Sequence, residues 1–219
     1  MTDLSSDHAA PKTKWGKLAV MVTSGALVGF FGAMGTLKLV DSGALGGLDA
    51  SREIALLVAL LYVVMGLMVG LGALSPGAGA RFLNVEDADE LREMRQSLTS
   101  SGIGCVAFGV LLAILALSGG EGIIPPLTAA IAGAVLLVIG VVFSMRSANR
   151  SDELMRAVSK DTASLGYYLV FVIVGGWAAA AILGFVAPPQ MIDILTAIWA
   201  IILIAAFWVC GKRGMLAPR

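Results

Sequence analysis

Long apolar runs separated by short polar connections set the pattern of this chain. Six of them, roughly Leu18 to Val40, Ile54 to Leu74, Gly102 to Leu117, Ile123 to Met145, Leu165 to Ala187 and Ile194 to Gly211, are almost free of charge. Each meets or approaches the ~20 residues that a helix rising about 1.5 Å per residue needs to cross roughly 30 Å of hydrocarbon. No water in that layer satisfies a free amide, and no ten-residue segments of alternating polar and apolar positions occur, so the pattern predicts helices rather than a barrel. The first run follows Lys17 and stays uncharged to Leu37. That is longer than the apolar core of a signal peptide, about 7 to 15 residues, and predicts a retained span.

Two connections carry a pattern of their own. Val85, Ala88, Leu91, Met94 and Leu98 recur every three or four residues, with Asp87 and Glu90 spaced as a capping box; Leu154, Met155, Val158, Thr162 and Leu165 form a similar stripe beginning after Ser151. Acids open both segments and bases follow, which suits the helix dipole. Two short amphipathic helices are expected, either as a collar on the span ends or as docking helices at the membrane surface. Their moderate basic content favours the collar.

Charge orients these spans. Of the chain's 219 residues, 58% are hydrophobic and 14% charged, with 15 basic and 15 acidic side chains. That balance points to a bilayer and gives no excess for binding nucleic acid. The bases are unevenly placed. Lys12, Lys14, Lys17, Arg81, Arg92, Arg95, Arg146, Arg150, Arg156, Lys160, Lys212, Arg213 and Arg219 all fall on one side of a six-span layout, and only Lys38 and Arg52 on the other. The crowded side is cytoplasmic by the positive-inside rule. The expectation is an all-α integral membrane protein of the plasma membrane, taken as a bacterial inner membrane. Its six transmembrane helices form three antiparallel hairpins, with a polar tail over 1–16, a membrane domain over 17–211, a basic tail over 212–219, and both ends cytoplasmic.

A shift of 63 residues lays Asp89-Glu90-Leu91 on Asp152-Glu153-Leu154, Thr99 and Ser101 on Thr162 and Ser164, Phe108 on Phe171, and Pro125-Pro126 on Pro188-Pro189, without a gap. An acidic helix start and a double proline at one common offset predict a parallel internal repeat, in units of about 86–148 and 149–211. The first pair of spans lacks the prolines and matches poorly.

Chemistry is bounded by what the spans omit. The sole histidine, His8, lies in the N-terminal tail, and no Asp or Glu stands mid-span. Bis-histidine haem ligation, a histidine metal site, a carboxylate proton relay and an aspartyl dyad are therefore not expected, nor is any cofactor or enzymatic activity. Cys105 and Cys210 are too few and too far apart for a disulfide framework or a paired-cysteine metal site. Lys38, Glu53 and Asp193 fall near the other membrane face, with Glu121 just before the fourth span. Their positions complement helix dipoles; the sharper alternative is a polar vestibule built from Lys38, Glu53 and Asp193.

Small and aromatic residues supply the remaining candidates. Gly25, Gly29, Gly32 and Gly35 make a ridge on the first span, and Gly66 and Gly70 repeat the spacing on the second. Such ridges let helices approach closely, within one chain or in an oligomer. Trp15, Tyr167, Tyr168 and Trp208 sit where interfacial rings anchor spans, whereas Trp177, beside Gly175-Gly176, and Trp199 lie deeper, as packing residues or as the lining of a ligand pocket. No family is identified by these residues. The expected partners are the bilayer and a homo-oligomer or another membrane protein. The expected role is a non-enzymatic scaffold or accessory subunit, ahead of a small carrier for an apolar or amphipathic solute.

Overall fold

A computed structural model describes residues 15–75, 88–119 and 122–215. Six helices fill them: α1 (Trp15–Asp41), α2 (Ala50–Leu74), α3 (Ala88–Ala116), α4 (Pro126–Arg150), α5 (Glu153–Ile182) and α6 (Met191–Lys212). The described residues contain no strand beyond an isolated bridge between Ser118 and Ile124. Helices α2 to α6 are each long and apolar enough to cross a membrane, the make-up of a multi-pass membrane protein; α1, with 27 residues, stands outside that set.

Helix starts follow local chemistry. The Asp49 carboxylate accepts the Arg52 amide at 3.0 Å and opens α2, and Asp152 accepts the Met155 amide at 2.7 Å and opens α5. At α6 the Asp193 carboxylate reaches back to the Gln190 amide at 2.8 Å. Pro126 occupies the first turn of α4, where no amide donor is missed. Helices α5 and α6 end alike. Phe185 N–H bonds the Ala180 carbonyl and Met215 N–H the Cys210 carbonyl, with Gly184 and Gly214 at φ +78° and +69° making the left-handed turn this closure requires.

The two amphipathic segments are not separate short helices. Met94 and Leu98 belong to the 29-residue α3, and Leu154 to Thr162 belong to the 30-residue α5. Breaking either helix near the membrane would orphan a turn of amides and carbonyls, and neither Gly102 nor Gly166 is a strong enough breaker to force it. Val85 and Asp87, like Arg81, Glu121, Arg219 and the tail with His8, Lys12 and Lys14, lie outside the described residues.

Packing is uneven. Helices α2 and α3 make the most extensive contact, α3 with α4 and α5 with α6 come next, and α1 touches α2 only slightly. The core collects Val40, Ala55, Leu56, Ala59, Leu112 and Ala116, with Ile192, Leu195 and Trp199 against it. Helices α3 and α4 run antiparallel, as the pairs Ser97 with Ser147, Gly104 with Ser144, and Leu111 with Gly133 show in order.

The 63-residue offset does not carry over into equal environments. Pro126 starts α4, whereas its counterpart Pro189 precedes α6, which begins at Met191. Phe108 lies on Gly140, whereas Phe171 is 70% exposed.

Candidate functional site

Three helices meet at Tyr62, Phe108 and Trp199. Tyr62, buried in α2, donates its hydroxyl to the Trp199 carbonyl at 2.9 Å, and the Trp199 indole N–H donates to the Phe108 carbonyl at 3.3 Å. The Phe108 and Trp199 rings meet edge to face, with centroids 6.2 Å apart. Phe108 fits over α4 because Gly140 has no side chain: a Cβ there would lie 2.9 Å from the ring. Trp199 thus locks α6 onto α2 and α3, with both its polar groups engaged. In an apolar medium such bonds orient helices, because an unpaired donor has no water to turn to.

Trp177 is elsewhere. Its indole N–H donates to the Ala187 carbonyl at 3.3 Å across the α5–α6 connection. The two indoles engage different elements, Trp199 the contact of α2 with α3 and Trp177 the α5–α6 connection.

Nor do the three charges pair. Lys38 lies in the last turn of α1, Glu53 in the first turn of α2 and Asp193 in the first turn of α6. Each complements its own helix dipole, and none forms an ion pair with another. Their apolar neighbours converge instead, as Val40, Leu56 and Ile192 join one cluster. The base that reaches across helices at this end is Arg52, donating to the Gly119 carbonyl at 2.8 Å.

The glycines fall into two sets. A Cβ on Gly66 would lie 2.6 Å from the Gly102 carbonyl oxygen, and one on Gly109 would lie 2.8 Å from that of Ala59, so α2 and α3 touch backbone to backbone. Along α1, a Cβ on Gly32 would meet Leu60, while Gly25, Gly29 and Gly35 face nothing within 4 Å. At Gly70 a Cβ would likewise be free, although its backbone lies against Gly102.

Several packing residues escaped the sequence reading. Gly102, Gly109 and Ala116 recur every seventh residue on α3, as do Gly133 and Gly140 on α4 and, around the already expected Gly66, Ala59 and Ala73 on α2, and all of these are buried. A seven-residue repeat keeps one face toward a partner over many turns, whereas a four-residue pair marks a single crossing.

Polar groups are sparse in the bundle. Ser147 donates its hydroxyl to the Ser97 carbonyl at 3.1 Å, with the two hydroxyls 3.2 Å apart. Thr99 Oγ1 is buried without a hydrogen-bond partner, beside an apolar groove of about 390 Å³ walled by Gly66, Gly70, Gly102 and Leu136. Cys105 and Cys210 are free thiols, and among the described residues no three His, Cys, Asp or Glu side chains gather as a metal site would require. The arrangement holds helices in register and leaves apolar surface for contact. The chain matches no protein-family model, no curated protein and no solved structure.

Proposed function

We propose that the chain is a non-enzymatic scaffold or accessory subunit of a membrane assembly, crossing a bacterial inner membrane six times with both ends in the cytoplasm. In this reading α1 is the sixth span, the helices pair as three hairpins, and the two 63-residue units are divergent copies of a helical pair. The observation that carries the reading is α1: Gly25, Gly29 and Gly35 have no neighbour at their Cβ positions, and Phe30 and Phe31 beside them are 60% and 67% exposed. Within α2 and α3 this chain fills such glycine faces with a second backbone. On α1 the same face fits a helix from another chain, homomeric or not.

Purification from the source membrane in native nanodiscs, followed by native mass spectrometry, tests the proposal. A stoichiometric protein partner or a defined homo-oligomer is expected, lost on Gly25→Leu with Gly29→Leu while the melting temperature stays unchanged. A lone monomer sinks it.

The second reading is a carrier of an apolar solute, favoured by the groove beside Thr99. A monomer that retains a stoichiometric small apolar molecule, released by Gly70→Leu, would establish that reading in place of the first.

A further inference from the structure

Beyond the core, α5 and α6 flank an open cleft of about 620 Å³ at the end where α6 finishes, with Asp161, Leu165 and Tyr168 on one side and Trp208, Lys212 and Arg213 on the other. Its two walls are regular. Asp161, Leu165 and Tyr168 repeat along one face of α5, and Trp208 and Lys212 stand one turn apart on α6. One end is apolar and aromatic, with Tyr168 and Trp208 64% and 67% exposed, and the other is charged. This is the gradient found where hydrocarbon gives way to headgroups.

The charge balance selects the occupant. Arg213 forms an ion pair with Asp161, which leaves Lys212 as the cleft's uncompensated charge, with no partner among the described residues. The carbonyl end of α6 would ordinarily offset that positive charge. The Val209, Cys210 and Gly211 carbonyls accept the amides of Arg213, Met215 and Gly214, and the dipole, worth about half a charge, offsets only part of the lysine's. A monoanion bearing an apolar tail matches such a site, with phosphate at the charged end and acyl chain along Leu165, Trp208 and Val209. We propose that this cleft binds the headgroup of an anionic phospholipid such as phosphatidylglycerol, its charge met by Lys212. The site requires the chain to lie in a bilayer and is independent of the scaffold role.

Native mass spectrometry of the delipidated full chain, titrated with phosphatidylglycerol or phosphatidylcholine of identical acyl chains, tests it. Wild type should retain the anionic lipid preferentially. One lysine near a membrane surface contributes enough for Lys212→Gln to reduce that retention about fivefold. Lys212→Arg should restore it, and Lys160→Gln, which removes the neighbouring charge outside the cleft, should change it by less than about twofold. Equal retention of both lipids, or an equal loss with Lys160→Gln, would overturn the site. So would displacement of the lipid by equimolar glycerol 3-phosphate, which would mark a soluble phosphate as the ligand. If Lys212→Gln does not fold, the wild-type lipid preference and the glycerol 3-phosphate competition decide the matter alone.

Discussion

A methyl group added at Gly109 would lie 2.8 Å from both the Ala59 carbonyl oxygen and Val63 Cγ2, and one at Gly66 would meet the backbone of α3 at 2.6 Å. Neither neighbour can yield without separating α2 from α3. Gly66→Ala and Gly109→Ala should therefore each lower stability by about 1–3 kcal/mol in denaturation by sodium dodecyl sulfate. Gly25→Ala and Gly35→Ala, with open space at the same position, should leave the monomer within about 0.5 kcal/mol of wild type in the same titration. Tyr62→Phe removes the bond to the Trp199 carbonyl. Interhelical side-chain bonds in membranes average about 0.6 kcal/mol and reach about 1.7. A loss in that range is expected for Tyr62→Phe, and an unchanged midpoint would show that the hydroxyl does not hold α6. The glycines of α1 are visible in the sequence because they follow one another every three or four residues, whereas Gly102 and Gly109 lie two turns apart and make no such ridge. Trp199 was recognised as deep but not as a fastener. Its partners are the Phe108 carbonyl of α3 and the hydroxyl of Tyr62, and periodicity does not encode which helix faces which.

Helices of similar composition have different standing in the bundle. α2 and α3 share a backbone contact, while α5 holds to α6 by the contact of Gly166 with Ala205 and the ion pair of Asp161 with Arg213. That pair is half exposed, and exposed pairs contribute little, so Asp161→Asn should cost less than about 1 kcal/mol. Hydrogen exchange in nanodiscs should place the α2 and α3 amides among the slowest and release the first three turns of α5 well before them. Equal protection would contradict this ranking. The apolar runs located all six helices in the sequence, with ends displaced toward the polar flanks. The two amphipathic segments, expected as separate elements, run on into α3 and α5. A change from an amphipathic to a uniformly apolar pattern marks where a helix enters a different medium, and the helix itself continues through it.

The whole molecule is a packed unit of α2, α3, α4 and α6 with α1 and α5 at its margins. The positive-inside count proposes where its ends lie. In a chain with Cys105 and Cys210 changed to serine, Ser118→Cys and Ala187→Cys should react with an impermeant maleimide on intact cells, and Ser151→Cys only after lysis; the opposite pattern would invert the topology. The asymmetry of charge was legible residue by residue, since orientation depends on counts in connections. The packing order was not, because nearly every helix is apolar on all sides and the sequence distinguishes lipid from protein weakly.

At about 1.5 Å per residue, the 30-residue α5 is roughly 45 Å long against a hydrocarbon layer of about 30 Å. Its apolar run, Leu165 to Ile182, spans only about 27 Å of that length, so the amphipathic first three turns stand beyond the hydrocarbon, and the cost per ångström of mismatch is small. Helices α2 and α3 are joined backbone to backbone, while α5 is held chiefly by α6, through the contact of Gly166 with Ala205 and the pair of Asp161 with Arg213. A thickening or thinning membrane would therefore be registered first in how much of α5's amphipathic stretch is immersed.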